Sequence, residues 1–396
     1  MKSWTKKAPV LVVLCAALAS ALASAAGPAG AAAPDFAGAR SYGAGEVPAA
    51  VAAADLDGDG DRDLAVANQS SNDVTVLRNR GNGRFEKARD HAVGVSPSSI
   101  VATDLTGDGG PDLAVANAGS SDNVSSTVSV LENRGNGAFG KAVDHEVGLG
   151  AFSVDAADLD RDGDADLAAV SFLAGTISVL ENRGDGTFGE RDEYRPGGSP
   201  EVAAAADLDG DGGPDLVTAD PYSHAVSVLL GEGGGTLGKP RRYPAGRFPN
   251  SVAAKDLDGD GDRDLAVTNN RREARGRVSV LKNRGNGSFG KPRGHRVGGS
   301  PVSVAAADLG GNRRPDLAVA NYADGTVSVL TNRGNGRFER AEGHRVGRYP
   351  TSVAAADLDG DRRSDLAVTN SGRGTVSVLL NTTKGRNVGA RHPGGG

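Results

Sequence analysis

Short runs rich in Val, Leu and Ala alternate with turn-forming residues along almost the whole chain. In one stretch the runs are Ser251–Ala254, Leu265–Thr268 and Val278–Leu281, and a fourth, Phe289 to Val297, follows the turn Gly285-Asn286-Gly287. Short apolar runs bounded by Gly, Asn and Asp predict β-strands, and Asn-Gly is the strongest hairpin signal. No stretch carries the sustained 3.6-residue apolar period of a helix. The pattern therefore predicts an all-β protein.

This four-strand unit is repeated seven times. Each copy has an Asp-rich segment after its first strand, and these segments begin at Asp55, Asp104, Asp158, Asp207, Asp256, Asp308 and Asp357. A period of about 50 residues is typical of solenoids, propellers and arrays. Four antiparallel strands in each unit make a propeller blade. We therefore predict a seven-bladed β-propeller within residues 36–383.

A phase shift between the two chain ends predicts how the ring closes. One column of the repeat contains Phe36, Phe85, Phe139, Phe188, Leu237, Phe289 and Phe338, and its first member precedes the first Asp segment. The last repeat stops at Asn381-Thr382-Thr383 without such a residue. We expect Phe36 to Gly43 to complete the seventh blade as its outermost strand, which removes the exposed edges of a linear array. An open solenoid is the alternative, and it leaves the phase shift unexplained.

A second column stands six residues after the first. It contains Tyr42, His91, His145, Tyr194, Tyr243, His295 and His344. Because Tyr alternates with His, we predict a packing position on the outer strand rather than a metal site.

The Asp-rich segments have the spacing of a calcium-binding hairpin loop. Carboxylates at positions one, three, five and nine, with the backbone carbonyl of position seven, are hard oxygen ligands that suit Ca²⁺. Position twelve of the first segment is Val66, where an EF-hand needs Glu, so the loop is not an EF-hand. Solvated acidic turns are the alternative, but carboxylates this close repel one another without a cation.

The seven segments differ in completeness. Four are complete: Asp55, Asp57, Asp59, Asp61 and Asp63; Asp158, Asp160, Asp162, Asp164 and Asp166; Asp207, Asp209, Asp211, Gly213 and Asp215; and Asp256, Asp258, Asp260, Asp262 and Asp264. Two are doubtful: Asp104, Asp108 and Asp112, with Thr106 at position three, and Asp357, Asp359, Asp361 and Asp365, with Arg362 in place of the turn Gly. The sixth, with Gly310, Asn312 and Arg314, is predicted to be empty. We expect about four calcium ions that stabilise the fold and take no part in catalysis.

The chain ends and the composition bear on location. Residues 1–25 combine three Lys, an apolar run and an Ala-Ser-Ala ending, which predicts a secretory signal peptide. A buried N-terminal helix is the alternative. Residues 26–35 are predicted to be a linker, and residues 384–396 a disordered Gly-rich tail. Removal of the signal takes the net charge from −6 to −9, since −6 − 3 = −9, and takes the single Cys with it. We therefore expect a secreted protein without disulfides, without a stable membrane anchor and without nucleic-acid binding.

The repeat resembles a known family. The pairs Phe139-Gly140 and Phe289-Gly290, the spacing from Gly298 to Pro301 and the Asp segment are similar to the FG-GAP/VCBS-type repeat of integrin α-subunit propellers and many secreted bacterial proteins. The resemblance covers about Phe36 to Thr383 and implies a seven-bladed propeller with calcium at the Asp positions above. It implies no ligand, because the family includes adhesion proteins, lectins and modules attached to enzymes. Leu237, Ala151 in the Pro column and the sixth loop depart from the pattern.

Residues outside the repeated columns predict a ligand surface. Because strand direction alternates, the Asp loops and Gly-Asn-Gly turns share one face, and the remaining loops share the opposite face. The non-repeated aromatic residues, with Arg and His neighbours, all fall on that opposite face: Phe152, Phe172, Tyr222, His224, Arg247, Phe248, Tyr322, Arg348 and Tyr349. Aromatic residues and Arg are enriched at binding hot spots. The alternative is that these loops are simply the positions that the repeat leaves free.

We predict a non-catalytic binding or adhesion module with a protein or glycan ligand. The sequence has no nucleophile–base motif, phosphate loop or zinc spacing, and the opposite-face carboxylates Glu46, Asp73 and Glu201 cannot be paired from sequence. A carbohydrate-binding propeller is the alternative, although the single Trp lies within the predicted signal peptide. A polysaccharide-active enzyme is less favoured.

Overall fold

The structure, a computed structural model, describes residues 33–120, 126–270 and 276–383. Within these ranges the chain forms 30 β-strands and no helix, so no helix there is long and apolar enough to span a bilayer. Twenty-eight strands form seven four-stranded antiparallel sheets, and the other two form a small hairpin in blade four. The seven-bladed propeller is confirmed. The predicted signal peptide, the tail and most of the linker lie outside the described residues.

Each blade runs from an inner strand to an outer strand. Blade one contains β2 (Pro48–Ala54), β3 (Asp63–Asn68), β4 (Asp73–Asn79) and β5 (Phe85–Ala92). Blade two contains β6 (Pro97–Thr103), β7 (Asp112–Asn117), β8 (Thr127–Leu131) and β9 (Val143–Glu146). Blade three contains β10 (Ala151–Ala157), β11 (Asp166–Ser171), β12 (Thr176–Asn182) and β13 (Phe188–Tyr194). Blade four contains β14 (Val202–Ala206), β15 (Asp215–Asp220), β16 (Ala225–Leu229), the hairpin β17 (Gly231–Gly233) and β18 (Thr236–Leu237), and β19 (Arg241–Pro244).

The remaining blades follow the same order. Blade five contains β20 (Pro249–Lys255), β21 (Asp264–Asn269), β22 (Arg277–Leu281) and β23 (Arg293–Arg296). Blade six contains β24 (Pro301–Ala307), β25 (Asp316–Asn321), β26 (Thr326–Leu330) and β27 (Glu342–Arg345). Blade seven contains β28 (Pro350–Ala356), β29 (Asp365–Asn370), β30 (Thr375–Leu379) and, as its outermost strand, β1 (Arg40–Gly43).

The first strand closes the ring, as the phase shift predicts. β1 pairs antiparallel with β30, with Arg40 opposite Val378 and Gly43 opposite Thr375. Phe36 adds a bridge to Asn381, and the Ala37 N–H donates to the Leu380 carbonyl at 2.8 Å. The two ends of the chain therefore share one sheet.

The outer strand of blade five is shorter than the predicted run from Phe289 to Val297. Only Arg293–Arg296 pairs as a strand, and Phe289 makes an isolated bridge to Asn283. Blades two and six show the same break without a Pro at this place, because Phe139 and Phe338 also make only isolated bridges to Asn133 and Asn332.

The core lies between neighbouring blades. Val202 and Val217 of blade four pack in one buried cluster with Val252 and Leu265 of blade five. An equivalent cluster joins Val51 of blade one to residues of blade seven, so closure also buries apolar surface. The inner strands are rich in Ala, and every residue of Pro48–Ala54 is buried. Small side chains fit there because the blades converge toward the propeller axis.

Aromatic contacts join the outer parts of neighbouring blades. A Tyr or His of one blade packs edge-on against the Phe of the next, with ring centroids 4.9–5.4 Å apart. The pairs are Tyr42–Phe85, His91–Phe139, His145–Phe188, Tyr243–Phe289, His295–Phe338 and His344–Phe36. Tyr194 packs in the cluster that contains Leu237, the Phe substitute. The Tyr/His column therefore occupies a packing position, as predicted.

Tyr and His differ in how they satisfy their polar ends. The three Tyr hydroxyls donate to Gly carbonyls of the next blade at 3.2–3.3 Å. The four His carry a buried Nε2 without a hydrogen-bond partner in the described part of the chain. Burial lowers the pKa of each of these four imidazoles below its ordinary value.

Candidate functional site

The loops sort onto two faces of the propeller. The side that carries the seven Asp-rich loops and the Gly-Asn-Gly turns is called the Asp face; there, the Gly137 N–H of blade two donates to the Leu56 carbonyl of blade one. The other side is called the opposite face; there, the Gly45 N–H donates to Asn68 Oδ1 at 3.1 Å. This is the predicted arrangement.

Each Asp loop is folded around its first carboxylate. Asp55 accepts hydrogen bonds from the backbone N–H groups of Gly58 and Gly60 at 2.8 and 2.9 Å. Both glycines are left-handed, with φ of 79° and 93°, a conformation in which a Cβ is strained. In the seventh loop Arg362 adopts φ 67° and still donates its N–H to Asp357 at 2.8 Å. The loss of the turn Gly therefore does not change the loop.

Five loops bring three carboxylates together. In each, one oxygen from each of three Asp residues lies within 4.8 Å of the others. The sets are Asp55, Asp57 and Asp63; Asp158, Asp160 and Asp166; Asp207, Asp209 and Asp215; Asp256, Asp258 and Asp260; and Asp357, Asp359 and Asp361. Ca²⁺ takes oxygen ligands at about 2.3–2.6 Å, so two ligands across one ion lie up to about 5 Å apart. The donor sets fit Ca²⁺ in both atom type and spacing, and the doubtful seventh loop joins the four complete ones.

The other predicted ligands take different places. Position five joins the group only in blades five and seven, and in blade four Asp211 pairs with Arg161 of blade three at 2.6 Å. In blades one, three and five, the position-seven carboxylate lies against the first Gly of the turn after the third strand, which is Gly-Asn-Gly in blades one and five and Gly-Asp-Gly in blade three; these side chains are Asp61, Asp164 and Asp262. In blade four, the Gly213 N–H donates to Asp211.

The loops of blades two and six do not form such a group among the described residues. In blade two Asp104 binds the N–H groups of Gly107 and Gly109, but Thr106 stands where the third carboxylate would be. In blade six Gly310 and Asn312 replace the carboxylates of positions three and five, and Asp308 accepts the N–H groups of Asn312 and Arg313. The sixth loop thus folds on backbone hydrogen bonds.

The grouped carboxylates are electrostatically unfavourable on their own. Burial, together with the neighbouring Asp166 and Asp162, raises the pKa of Asp160 to about 6. Burial and nearby carboxylates also raise the pKa of Asp57 and of Asp359. A divalent cation would neutralise this concentrated negative charge. In each of the five groups the three oxygens are close enough together to contact a single ion.

The ninth-position Asp has a structural role that we did not predict. Asp63 is 1% exposed, and its two oxygens accept the N–H of Leu56 at 3.0 Å and of Asn79 at 2.7 Å. Burial raises the pKa of Asp63 to about 6, although these N–H groups lower it. In the sixth loop Asp316 keeps the equivalent bonds to Leu309 and Asn332. This residue organises the hairpin whether or not an ion is bound.

A second residue missed by sequence reasoning is an Asn that stands at the end of the third strand, or two residues after it, in six blades. Its Nδ2 donates to the second-position Leu carbonyl of the preceding blade at 2.7–3.0 Å. We call these residues the Asn clasp: Asn79, Asn133, Asn182, Asn283, Asn332 and Asn381. Blade four has Gly231 instead, whose N–H still binds Asp215 but which has no side chain to reach blade three. The repeated Asn-Arg-Gly segment was the available signal.

The opposite face carries one extended apolar cluster on blades three and four. The rings of Phe152 and Phe172 lie 5.3 Å apart, and those of Phe172 and Tyr222 5.9 Å apart. Tyr222 is 67% exposed. Two aliphatic side chains that the sequence analysis did not single out are exposed as well, Leu149 at 60% and Leu173 at 71%. The Leu173 N–H donates to the Leu149 carbonyl, so the loop before β10 and the loop after β11 lie side by side. These five residues are called the apolar cluster.

The other predicted opposite-face residues form two smaller groups. His224 packs edge-on against Phe248, next to the exposed Arg247. Tyr322 and Tyr349 stack at 4.9 Å, with the Arg348 guanidinium 5.2 Å from the centre of the Tyr349 ring. Glu201 is buried at 2% exposure beside Asp220, and burial raises its pKa to about 8.

The fold and these loops define a class of protein: a seven-bladed propeller with acidic hairpin loops on one face. The chain belongs to the FG-GAP-like repeat family, whose repeat matches residues 55–115, 104–169, 167–218, 207–267, 256–319 and 311–368. No curated protein sequence matches the chain.

A solved structure shares the architecture. It is selenomethionine-substituted virginiamycin B lyase from Staphylococcus aureus, with a TM-score of 0.57 and 10% sequence identity. The match covers 87% of this chain and 99% of that chain. At this identity the likeness concerns the fold alone.

Proposed function

We propose that this protein is a secreted, calcium-binding propeller that serves as a non-catalytic binding or adhesion module. The observation that carries the proposal is the apolar cluster, which exposes aliphatic and aromatic side chains side by side on the opposite face. Exposed apolar patches of this kind mark interaction sites on soluble proteins. Secretion rests on the predicted signal peptide at residues 1–25.

Calcium is proposed to act as a stabiliser. The five carboxylate groups of blades one, three, four, five and seven would each hold one ion, one more than the sequence alone led us to expect. Bound ions would neutralise carboxylates that otherwise repel one another. They would also hold the hairpins in a chain whose predicted mature form has no Cys for disulfides.

A protein partner is favoured over a glycan. Leu149 and Leu173 are aliphatic and have no hydrogen-bonding groups in their side chains, which suits burial against another apolar surface. The stacked pair Tyr322 and Tyr349, with Arg348 beside it, is the observation that favours the alternative, a carbohydrate-binding propeller. The two surfaces lie on different blades and can be tested separately.

The test compares three immobilised proteins, with calcium in excess, for capture of extracellular proteins and for binding to a glycan array. They are the wild type, Leu149→Glu/Leu173→Glu, and the control Val143→Glu, which alters an exposed apolar residue on the outer strand of blade two. We expect a partner bound by the wild type and the control to be lost by the double variant. Equal capture by all three would refute the apolar cluster as the site. Glycan binding abolished by Tyr322→Ala/Tyr349→Ala would establish the alternative.

A further inference from the structure

In blades one and five, one side chain outside the Asp loop contacts the third-position carboxylate, and the charge of the residue at this place differs from blade to blade. It is the residue just before the Asn clasp, or before Gly231 in blade four: Arg78, Glu132, Glu181, Leu230, Lys282, Thr331 and Leu380 in blades one to seven. In blade one, Arg78 Nε lies 2.8 Å from Asp57 Oδ2. In blade five, the Lys282 ammonium forms an ion pair with Asp258.

The two cations contact the next blade as well as their own loop, and their side chains are 37% and 49% exposed. Arg78 also donates to the Asn136 carbonyl of the next blade at 2.7 Å, and Lys282 lies against Gly336 of the next blade. The paired Asp57 and Asp258 side chains are only 8% and 9% exposed. Solvent therefore screens these ion pairs less than it would on an open surface.

The Lys282 cation already changes its loop. The Lys282 ammonium donates to Asp258 Oδ2, so one carboxylate of the blade-five group is already paired with a cationic side chain. In blade three the same position carries the opposite charge, because Glu181 stands there.

In blades four and seven the residue at this position is an uncharged Leu. Leu230 lies against Gly287 of blade five, and Leu380 lies against Gly83 of blade one. A Leu therefore fits this position between a loop and the next blade, and the chain itself contains the substitution needed for a test.

We propose that this residue sets the calcium affinity of its own blade, an inference that rests on the calcium binding proposed above. Arg78 and Lys282 compete with the ion for the third-position carboxylate and weaken the sites of blades one and five. Leu230 and Leu380 place no charge at this position in blades four and seven, although in blade seven Arg363 pairs with Asp361 from within the loop. Glu181 adds a negative charge and strengthens the site of blade three. A unit charge a few ångströms from a divalent ion changes its affinity by about tenfold, even at the dielectric constant of water.

The experiment is a calcium titration by isothermal calorimetry and equilibrium dialysis on the full chain. The test variant is Arg78→Leu/Lys282→Leu. The control is Arg80→Leu/Arg284→Leu, which removes the same two charges two residues further along, beyond the Asn clasp. We expect the sites of blades one and five to be among the weaker sites of the wild type, and the test variant to tighten these two sites about tenfold. The control should change them less than twofold, and Glu181→Gln should weaken one of the tighter sites. A calcium-free thermal melt of each variant checks that the propeller is intact.

The possible failures are distinguishable. Five equivalent sites in the wild type, or equal shifts in the test and control variants, would overturn this inference and leave the proposed calcium binding in place. A wild type that binds no calcium would overturn the proposed binding itself, and this inference with it.

Discussion

Replacing one Asn clasp residue measures how strongly neighbouring blades are held together. Asn133 is 5% exposed, and its Nδ2 donates to the Leu56 carbonyl at 3.0 Å and to the Pro111 carbonyl at 2.9 Å. Its Oδ1 accepts the Gly135 N–H at 2.9 Å. In Asn133→Ala all three bonds disappear, but the Leu56 carbonyl keeps the Gly137 N–H. Each lost hydrogen bond costs about 1 kcal/mol, and the bond to the Leu56 carbonyl costs less because that carbonyl keeps another donor. We therefore expect the free energy of unfolding to fall by about 2–3 kcal/mol.

Asn133→Asp should cost more than Asn133→Ala. The carboxylate would keep the bond from Gly135 but would direct a second oxygen at two carbonyls that need donors. The assay is urea unfolding at saturating calcium, with midpoints compared at a common slope. Arg134→Ala, an exposed neighbour, is the control and should change stability by less than about 0.5 kcal/mol. An Asn133→Ala effect no larger than the control, or an Asp variant as stable as wild type, would refute the reasoning.

Three further predictions test the ions, the blade contacts and the closure. Removing calcium with EDTA should lower the melting temperature sharply, because five sites at ten times their dissociation constant add about 7 kcal/mol in total; an unchanged melt would remove calcium as the stabiliser. Changing the four column His residues to Tyr should reduce the acid sensitivity of the fold. Burial lowers the pKa of these imidazoles in the folded protein, so their contribution to the free energy of unfolding is present above pH 6.5 and is lost as the pH falls through the lowered pKa values. Parallel curves of stability against pH for variant and wild type would contradict this. Phe36→Ala should speed hydrogen exchange at the Ala37 and Thr382 amides, which join the chain ends, whereas the matched Phe338→Ala should not; equal protection in both would argue against closure through Phe36.

The overall fold could be predicted because it follows from the local spacing of apolar and turn-forming residues. Apolar runs with turn residues between them specify strands, and the repeat specifies how many blades form. Closure was predictable for a particular reason: Phe36 belongs to a column whose other members each follow an Asp loop, and the last loop lacks one. The structure places that segment in blade seven.

The candidate site was predictable only in part. The spacing of Asp residues marks the loops, but it does not tell which three oxygens converge, because that depends on side-chain rotamers. Thus Asp63 joins the group in blade one, whereas Asp260 joins it in blade five. The exposed Leu149 and Leu173 were missed because a single Leu in a loop carries no periodic signal.

The sequence by itself determined the strands, the seven blades, the position of the acidic loops and the way the ends meet, since all of these follow from hydrophobic spacing and turn residues along the chain. Only the tertiary structure decided which groups meet across blades. Asn133 reaches the carbonyl of Leu56, 77 residues earlier, and Arg78 reaches the turn of the next blade, 58 residues later. Such contacts depend on the angle and distance at which two sheets pack, and these quantities arise from the closed ring as a whole.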